Sequence, residues 1–277
     1  MAYSWKKGVP KTVFITGGGS GLGREFARLL AKEGASIAIF NRRLAPDVIL
    51  ELEQAAQDSK QRFVNYSADV ANNAEIQDAV ARAVQELGAP DLVINSAGTA
   101  IAAPFEELEE ASFRQVVEVN LMGSRNVAAA VLPHLSKGAH LVFVASIAGL
   151  LPNFAYAAYC ASKYGTVGLA EVLRLELKTK GIDVSVCCPA EIDTPLVREE
   201  RKTLHPVSGA MKDFVGTLEV EPACHSMLKA IAKRHFEIIP GTMPKLSAQL
   251  QQHLPAVSRK ISDQLVVHHM RKYNENK

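Results

Sequence analysis

The sequence predicts an α/β fold: one doubly wound parallel sheet with helices on both faces. Three observations carry that expectation. Short apolar, β-branched runs alternate with longer helical patterns from residue 12 to residue 188, and such alternation builds a parallel sheet through right-handed crossovers. The first run breaks into a glycine-rich turn, Gly17 to Gly23, that opens a helix. The residues with chemistry to offer fall at the carboxyl ends of the runs or on the helices beside them, where ligands bind in sheets of this kind.

Composition narrows the classes. The chain has 277 residues, of which 48% are hydrophobic, enough to bury one large core. Net charge is +2 with Lys and Arg scattered, whereas a nucleic-acid binder concentrates them on one face. Cys160, Cys187, Cys188 and Cys224 lack CxxC or zinc spacing, so no metal site is expected. Cys187 and Cys188 should point to opposite faces of a strand. A reduced, cytoplasmic setting follows, since MAYSWKKGVPK has no apolar leader-like run. No run of about 18 apolar residues spans a bilayer.

The elements follow in order. Thr12 to Thr16 reads as a buried strand, and the helix after the glycines closes at Gly34. Strand, glycine turn and helix let backbone N–H groups and a helix N-terminus hold a pyrophosphate. In the turn Gly17, Gly19, Ser20, Gly21, Leu22 and Gly23, the glycines at 17, 21 and 23 supply the tight bend, the close approach and the close helix packing. Ser36 to Phe40 is the second strand. At its end, where an acid would bind a ribose 2′-OH, stand Asn41 and Arg42. A guanidinium there suits a 2′-phosphate, so the cofactor expected is NADP(H); two arginines at a strand end also read as solvated loop charges.

A helix over about Pro46 to Asp58 leads to a third strand ending at Asp69 and Val70, and a helix over Ala74 to Leu87 leads to a fourth strand, Asp91 to Asn95. Ser96, Ala97 and Gly98 follow, small enough for a flat ring to lie on the backbone. A helical stretch from Glu106 to Leu132 holds Asn120 among apolar residues. A buried Asn must be hydrogen-bonded, either as a structural tie or in catalysis, and the two are compatible. His140 to Ser146 is the fifth strand and delivers Ser146 at its end, a place also common for turn and cap residues. The helix from about residue 155 carries Tyr159 and Lys163 four residues apart, on one face. An ammonium beside a phenol stabilises the phenolate, and a Tyr tuned that way can exchange a proton with a carbonyl or alcohol oxygen. Asp183 to Cys188 is a sixth strand, halted by Pro189.

Beyond Pro189 the pattern weakens. Residues 190–225 read as a mobile segment over the substrate, since Glu191 to Gly216 is charged and without period. Glu221 to His235 reads as a helix and Phe236 to Ile239 as a last strand. Residues 244–277 form a helical extension whose apolar and basic residues suit a channel cover, a partner surface, an interfacial membrane helix or a plain docked helix. The whole of 1–277 is expected to be one domain.

Together TGGGSGLG at 16–23, Asp69, NSAG at 95–98, Asn120, Ser146, YCASK at 159–163 and PAEIDTP at 189–195 resemble the short-chain dehydrogenase/reductase family over about residues 10–240. The resemblance implies a Rossmann-like dinucleotide-binding fold and an oxidoreductase acting on a small-molecule carbonyl or alcohol. It implies that Tyr159 is the general acid/base, that Lys163 tunes it and holds the nicotinamide ribose, that Ser146 bonds the substrate oxygen, and that Asn120 sustains a proton relay. It places Asp69 and Val70 by the adenine, Asn95, Ala97 and Gly98 along the cofactor, and Pro189, Ile192 and Thr194 at its nicotinamide end. Two departures stand out: Ser96 where a second Asn is usual, and Ala190 where Gly is usual, which matters only if φ there is positive. Within the family, PAEIDTPLVREE and the tail are similar to the 3-ketosphinganine reductases, whose stretch reads close to PPDTDTP. That implies a long-chain β-keto amine substrate and peripheral membrane contact. Other lipophilic carbonyls (a steroid, a retinoid, a 3-oxoacyl thioester) and a non-catalytic dinucleotide-binding regulator remain alternatives. A homodimer or homotetramer is expected on the helices near 105–132 and 155–178, whose apolar content is too high for one buried face.

Overall fold

The computed structural model describes residues 3–43 and 46–275. β1 (Thr12–Thr16) runs through the glycine turn into α1 (Gly21–Ala31). β2 (Ser36–Asn41), α2 (Pro46–Ala55), β3 (Phe63–Ser67) and α3 (Asn73–Leu87) follow. β4 (Leu92–Asn95) opens the second half, with α4 (Glu110–Val117), a π-helical turn (Glu118–Met122) and α5 (Gly123–Val131). Then come β5 (His140–Val144), α6 (Ala157–Lys178) and β6 (Asp183–Cys187). The last part holds β7 (Glu191–Ile192), α7 (Pro195–Arg201), α8 (Pro206–Val215), β8 (Thr217–Leu218) and α9 (Val220–Ala232). It ends with β9 (Glu237–Ile238), α10 (Thr242–His253) and α11 (Pro255–Glu275).

Seven parallel strands form the central sheet in the order β3-β2-β1-β4-β5-β6-β9. The chain winds outward from β1 to β3, then returns to β4 and winds the other way. The order therefore reverses between β1 and β4, and the crevice beyond their carboxyl ends is where a ligand fits. Helices cover both faces, so the strands read as continuous apolar runs. Val13 and Ile15 enter one core while Phe14 between them enters the other. The same alternation sends Cys187 and Cys188 to opposite cores, as the sequence predicts. All four cysteines are free.

Packing explains the glycines of the first turn. Gly17 has φ +66°, and a Cβ there would lie 2.9 Å from the Ala97 backbone. At Gly23 a Cβ would overlap the Gly17 carbonyl oxygen, so α1 can sit this close to the turn only with glycine. The departure at Ala190 is harmless: the non-glycine residues with positive φ are Ala155 and Arg234 among those described.

Three expectations change. The stretch Glu106 to Leu132 is not one regular helix: its helical part begins at Glu110 and widens into the π turn around Asn120. The charged stretch Glu191 to Gly216 is folded, not patternless. β7 and β8 pair through Glu191↔Thr217 and Ile192↔Leu218, and α7 and α8 lie between them. Its period is hidden in the sequence because these helices are short and turn charges inward onto one another. Leu246 to His269 is two helices, broken where Leu254 (φ −133°, ψ 59°) precedes Pro255. The last two residues of the 244–277 extension lie outside the described residues. No helix among the described residues is long and apolar enough to cross a membrane, and no cluster of metal-ligating side chains occurs among them.

Candidate active site

A cavity of about 690 Å³ opens at the β1/β4 crevice. Its floor at one end is the glycine turn: Gly17, Ser20, Gly21 and Leu22. Ala97 and Gly98 after β4, Ser146 after β5, and Tyr159 and Lys163 on α6 line its middle. Pro189, Ile192 and Thr194 complete that wall, and beyond them apolar side chains of α7, α8, α10 and α11 enclose the far end. Side chains of α10 and α11 thus form part of the cavity wall.

At the centre, Ser146 stands in extended backbone just past β5, its Oγ accepting from Ala148 N at 3.1 Å. Tyr159 and Lys163 lie one helical turn apart, with the Lys163 Nζ 5.5 Å from the Tyr159 ring centre. Nζ donates to the Val144 carbonyl at 3.0 Å, which ties α6 to the end of β5. Burial drives the Lys163 pKa down to about 8. The tuning expected from sequence therefore needs correction. Desolvation holds the Tyr159 phenol above its ordinary value, and the opposing influence is its hydrogen bond with Ser146, not the ammonium of Lys163. A phenol kept protonated at neutral pH, next to a serine hydroxyl, is set up to give a proton to an oxygen placed between them. Tyr156, the neighbouring phenol, has its ring centre 5.9 Å from that of Tyr159, but no lysine one turn on.

Asn120 is buried at the π turn and does not line the cavity. Its Nδ2 donates to Thr99 O at 2.9 Å and Ser162 Oγ at 3.0 Å, and its Oδ1 accepts from Thr99 N at 2.9 Å. This is the structural tie among the two roles left open, and it fixes the loop after Gly98 beside Lys163. A widened turn recurs where a helix must present unusual backbone at a working site. Asn95 is likewise a tie rather than a wall: its Oδ1 accepts from Thr16 Oγ1 at 2.6 Å and its Nδ2 donates to Ser124 Oγ at 2.9 Å.

The residues of the first half fit a dinucleotide. Ser20 makes no side-chain cap and no acid stands in the first turn of α1, so its N–H groups and dipole face the cavity end. Asn41 Oδ1 accepts from Gly19 N at 2.9 Å, while its Nδ2 is buried without a partner. An orphaned donor at that place suits a phosphate or ribose oxygen. Arg42 beside it is exposed and has no carboxylate partner among the described residues. Asp69 Oδ1 accepts from Ala71 N at 2.9 Å, and Val70 is buried against Gly123; both lie off the cavity wall.

Sequence reading missed a charged group on the far wall. Glu191, Glu200 and Lys212 line the cavity, and Lys212 Nζ bonds Glu200 Oε2 at 2.7 Å and meets Glu191 Oε2 at 3.1 Å. The one signal available was the density of Glu, Arg and Lys from 191 to 213, which reads equally as a solvated face.

Comparison with known proteins follows from this geometry. The model of the family described as short chain dehydrogenase matches residues 11–205. A mouse protein named 3-ketodihydrosphingosine reductase is 35% identical over 237 residues, covering 83% of this chain and 71% of its own. A D-beta-hydroxybutyrate dehydrogenase of Rhizobium meliloti is 33% identical over 193 residues, covering 69% of this chain and 74% of its own. The crystal structure of a Burkholderia phymatum short-chain dehydrogenase/reductase in complex with NAD superposes with a TM-score of 0.76 at 25% identity, covering 89% of this chain and 94% of that one.

Proposed function

The chain belongs to the short-chain dehydrogenase family and is an oxidoreductase, and from that premise we propose that it is an NADPH-dependent reductase of a long-chain ketone, 3-ketosphinganine or a close analogue. The observation that carries this reading is the cavity itself. The glycine turn lies at one end, Ser146, Tyr159 and Lys163 in the middle, and an apolar channel walled by the chain's own C-terminal helices at the other. That arrangement supports a dinucleotide and a ketone meeting at the centre. The likeness to the mouse sphingoid reductase points the same way.

The glycine turn and the N-terminus of α1 would hold the pyrophosphate, Asn41 and Arg42 the 2′-phosphate, and Lys163 the nicotinamide ribose. Bound there, the cofactor supplies a hydride to the carbonyl carbon. Ser146 and Tyr159 donate hydrogen bonds to the carbonyl oxygen, and as charge develops on that oxygen these fixed donors stabilise it. Tyr159 gives up its proton to complete the alcohol. Its raised pKa keeps that proton in place at neutral pH, which favours the reductive direction. Segment 190–225 and the extension exclude water and seat the acyl chain.

Leu196, Phe214, Met243 and Leu246 line the cavity and are also exposed, so its mouth is an apolar rim. Such a rim suits peripheral contact with a membrane that holds the substrate, the chain itself remaining a cytoplasmic protein. Phe105, Met122, Tyr164, Val172 and Leu175 expose apolar surface on and beside α4 to α6, which supports a homodimer or homotetramer built there.

The test is loss of nicotinamide absorbance with 3-ketosphinganine and a panel of shorter ketones, NADPH and NADH in parallel. Turnover of NADPH with the long-chain ketone is the expected result; turnover with shorter ketones alone discards the substrate, and none with any ketone discards the reductase. Arg42→Ala should lower the NADPH-over-NADH preference in kcat/KM by about tenfold or more, the scale of one lost charge-assisted phosphate contact. An unchanged preference would move the phosphate contact elsewhere.

A further inference from the structure

Besides the serines of α10 and α11, the far wall of the channel carries a charged group, and that group has an unsatisfied half. Glu200 is on α7 with its side chain only 9% exposed. Its Oε2 takes the Lys212 ammonium at 2.7 Å, and its Oε1 is buried with no hydrogen-bond partner. The Tyr156 hydroxyl, also buried, faces Glu200 without a well-formed hydrogen bond to it. A buried carboxylate oxygen left bare is costly unless something else occupies the space beside it.

The charge around it does not balance. Glu191 and Asp213 share Arg201, while Glu191 and Glu200 share Lys212. Three carboxylates thus meet two cations, and the linked group is one positive charge short. Lys212 cannot approach further, since it already lies 4.9 Å over the Tyr156 ring while bridging both acids. The deficit sits close to the chemistry: the Tyr156 ring is next to that of Tyr159.

We propose that Glu200, through Oε1, is the docking carboxylate for an ammonium on the carbon next to the reacting carbonyl. The enzyme thereby selects long-chain 2-amino ketones over ketones of equal length without the amine. This rests on the reductase reading above and adds to it the group that chooses the substrate. A 2-amino ketone carries its ammonium nitrogen two bonds from the carbonyl carbon, so with the oxygen held by Ser146 and Tyr159 the ammonium can reach Tyr156, whose ring lies next to that of Tyr159. The ammonium completes the charge balance of the group and gives Oε1 and the Tyr156 hydroxyl a common partner. The same excess of carboxylates repels substrates that are themselves acids.

The test is the ratio of kcat/KM for 3-ketosphinganine to that for the same ketone with hydrogen in place of the amine. Each ratio is taken within one variant, so the fraction of folded enzyme cancels. Glu200→Gln keeps the shape and should cut the ratio by about ten- to hundredfold, the worth of a hydrogen bond to a charged group. Lys212→Met removes the competing internal cation and should hold or raise the ratio. A lid role alone predicts that both variants leave it unchanged, and a ratio within about threefold of wild type in Glu200→Gln overturns the proposal. If wild type reduces neither ketone, the reductase reading falls, and calorimetry on the NADP-loaded protein decides this one separately. Sphinganine binding tighter than the same-length diol, with the preference lost in Glu200→Gln, sustains the proposal; equal binding by wild type overturns it.

Discussion

Replacing Tyr159 by Phe is expected to cut kcat by about 10²–10⁴-fold, the usual contribution of a positioned proton donor. NADPH affinity should stay within about threefold, because in the proposed mechanism the phenol oxygen acts on the substrate oxygen and not on the phosphates. The variant removes one oxygen from the side chain bonded with Ser146 and leaves the ring against Tyr156. The comparison that isolates the role is Tyr156→Phe, whose hydroxyl faces Glu200 rather than Ser146; its loss in kcat should be at least about tenfold smaller. A Tyr159→Phe enzyme with more than about a tenth of wild-type rate would remove the phenol from the mechanism.

Lys163→Met is expected to separate activity from stability. Activity should fall by about 10²-fold or more, since on the proposed reading Lys163 holds the nicotinamide ribose beside Tyr159. Stability should hold or rise at pH 7. Burial pulls the Lys163 pKa from near 10.5 to about 8, so below pH 8 the folded protein carries an ammonium in a poor solvent. The full penalty is about 3 kcal/mol. It is offset by the Nζ bond to Val144 O, about 1–3 kcal/mol for a charged donor. The sign with pH follows from proton binding. Between about pH 8 and 10.5 the folded chain has released this proton and the unfolded chain has not, so wild-type stability gains as pH rises through that window. The advantage of Lys163→Met should therefore be greatest at pH 7 and shrink toward pH 10, as melting temperatures at the two values would record. A variant less stable at pH 7, with a gap that does not change, would mean that Lys163 is not a strained cation.

A residue that lowers stability and serves the site is what the local pattern conceals. Tyr159 and Lys163 at four-residue spacing were legible because a helix converts spacing into one face. The glycines were legible because their chemistry is backbone: Gly17 needs positive φ, and Gly23 cannot carry a Cβ. Asn120 was visible as a buried amide, but which groups it would tie depended on the loop after Gly98, which the chain brings alongside from 21 residues away.

Sequence by itself determined the parallel sheet, its turns and the shared helix face of Tyr159 and Lys163, because each depends on contacts within one strand–turn–helix unit. Tertiary structure alone decided the electrostatics. That Lys163 is too desolvated to be an ordinary ammonium follows from burial, a property of everything packed around α6. The folded state of residues 191–218 follows from ion pairs between positions 10 to 21 apart, such as Arg201 with Glu191 and Lys212 with Glu191, which no period of 2 or 3.6 reveals. The closing of the channel by α10 and α11 depends on where Pro255 bends the chain back over α8, and contacts of that range are set by the whole fold rather than by any stretch of it.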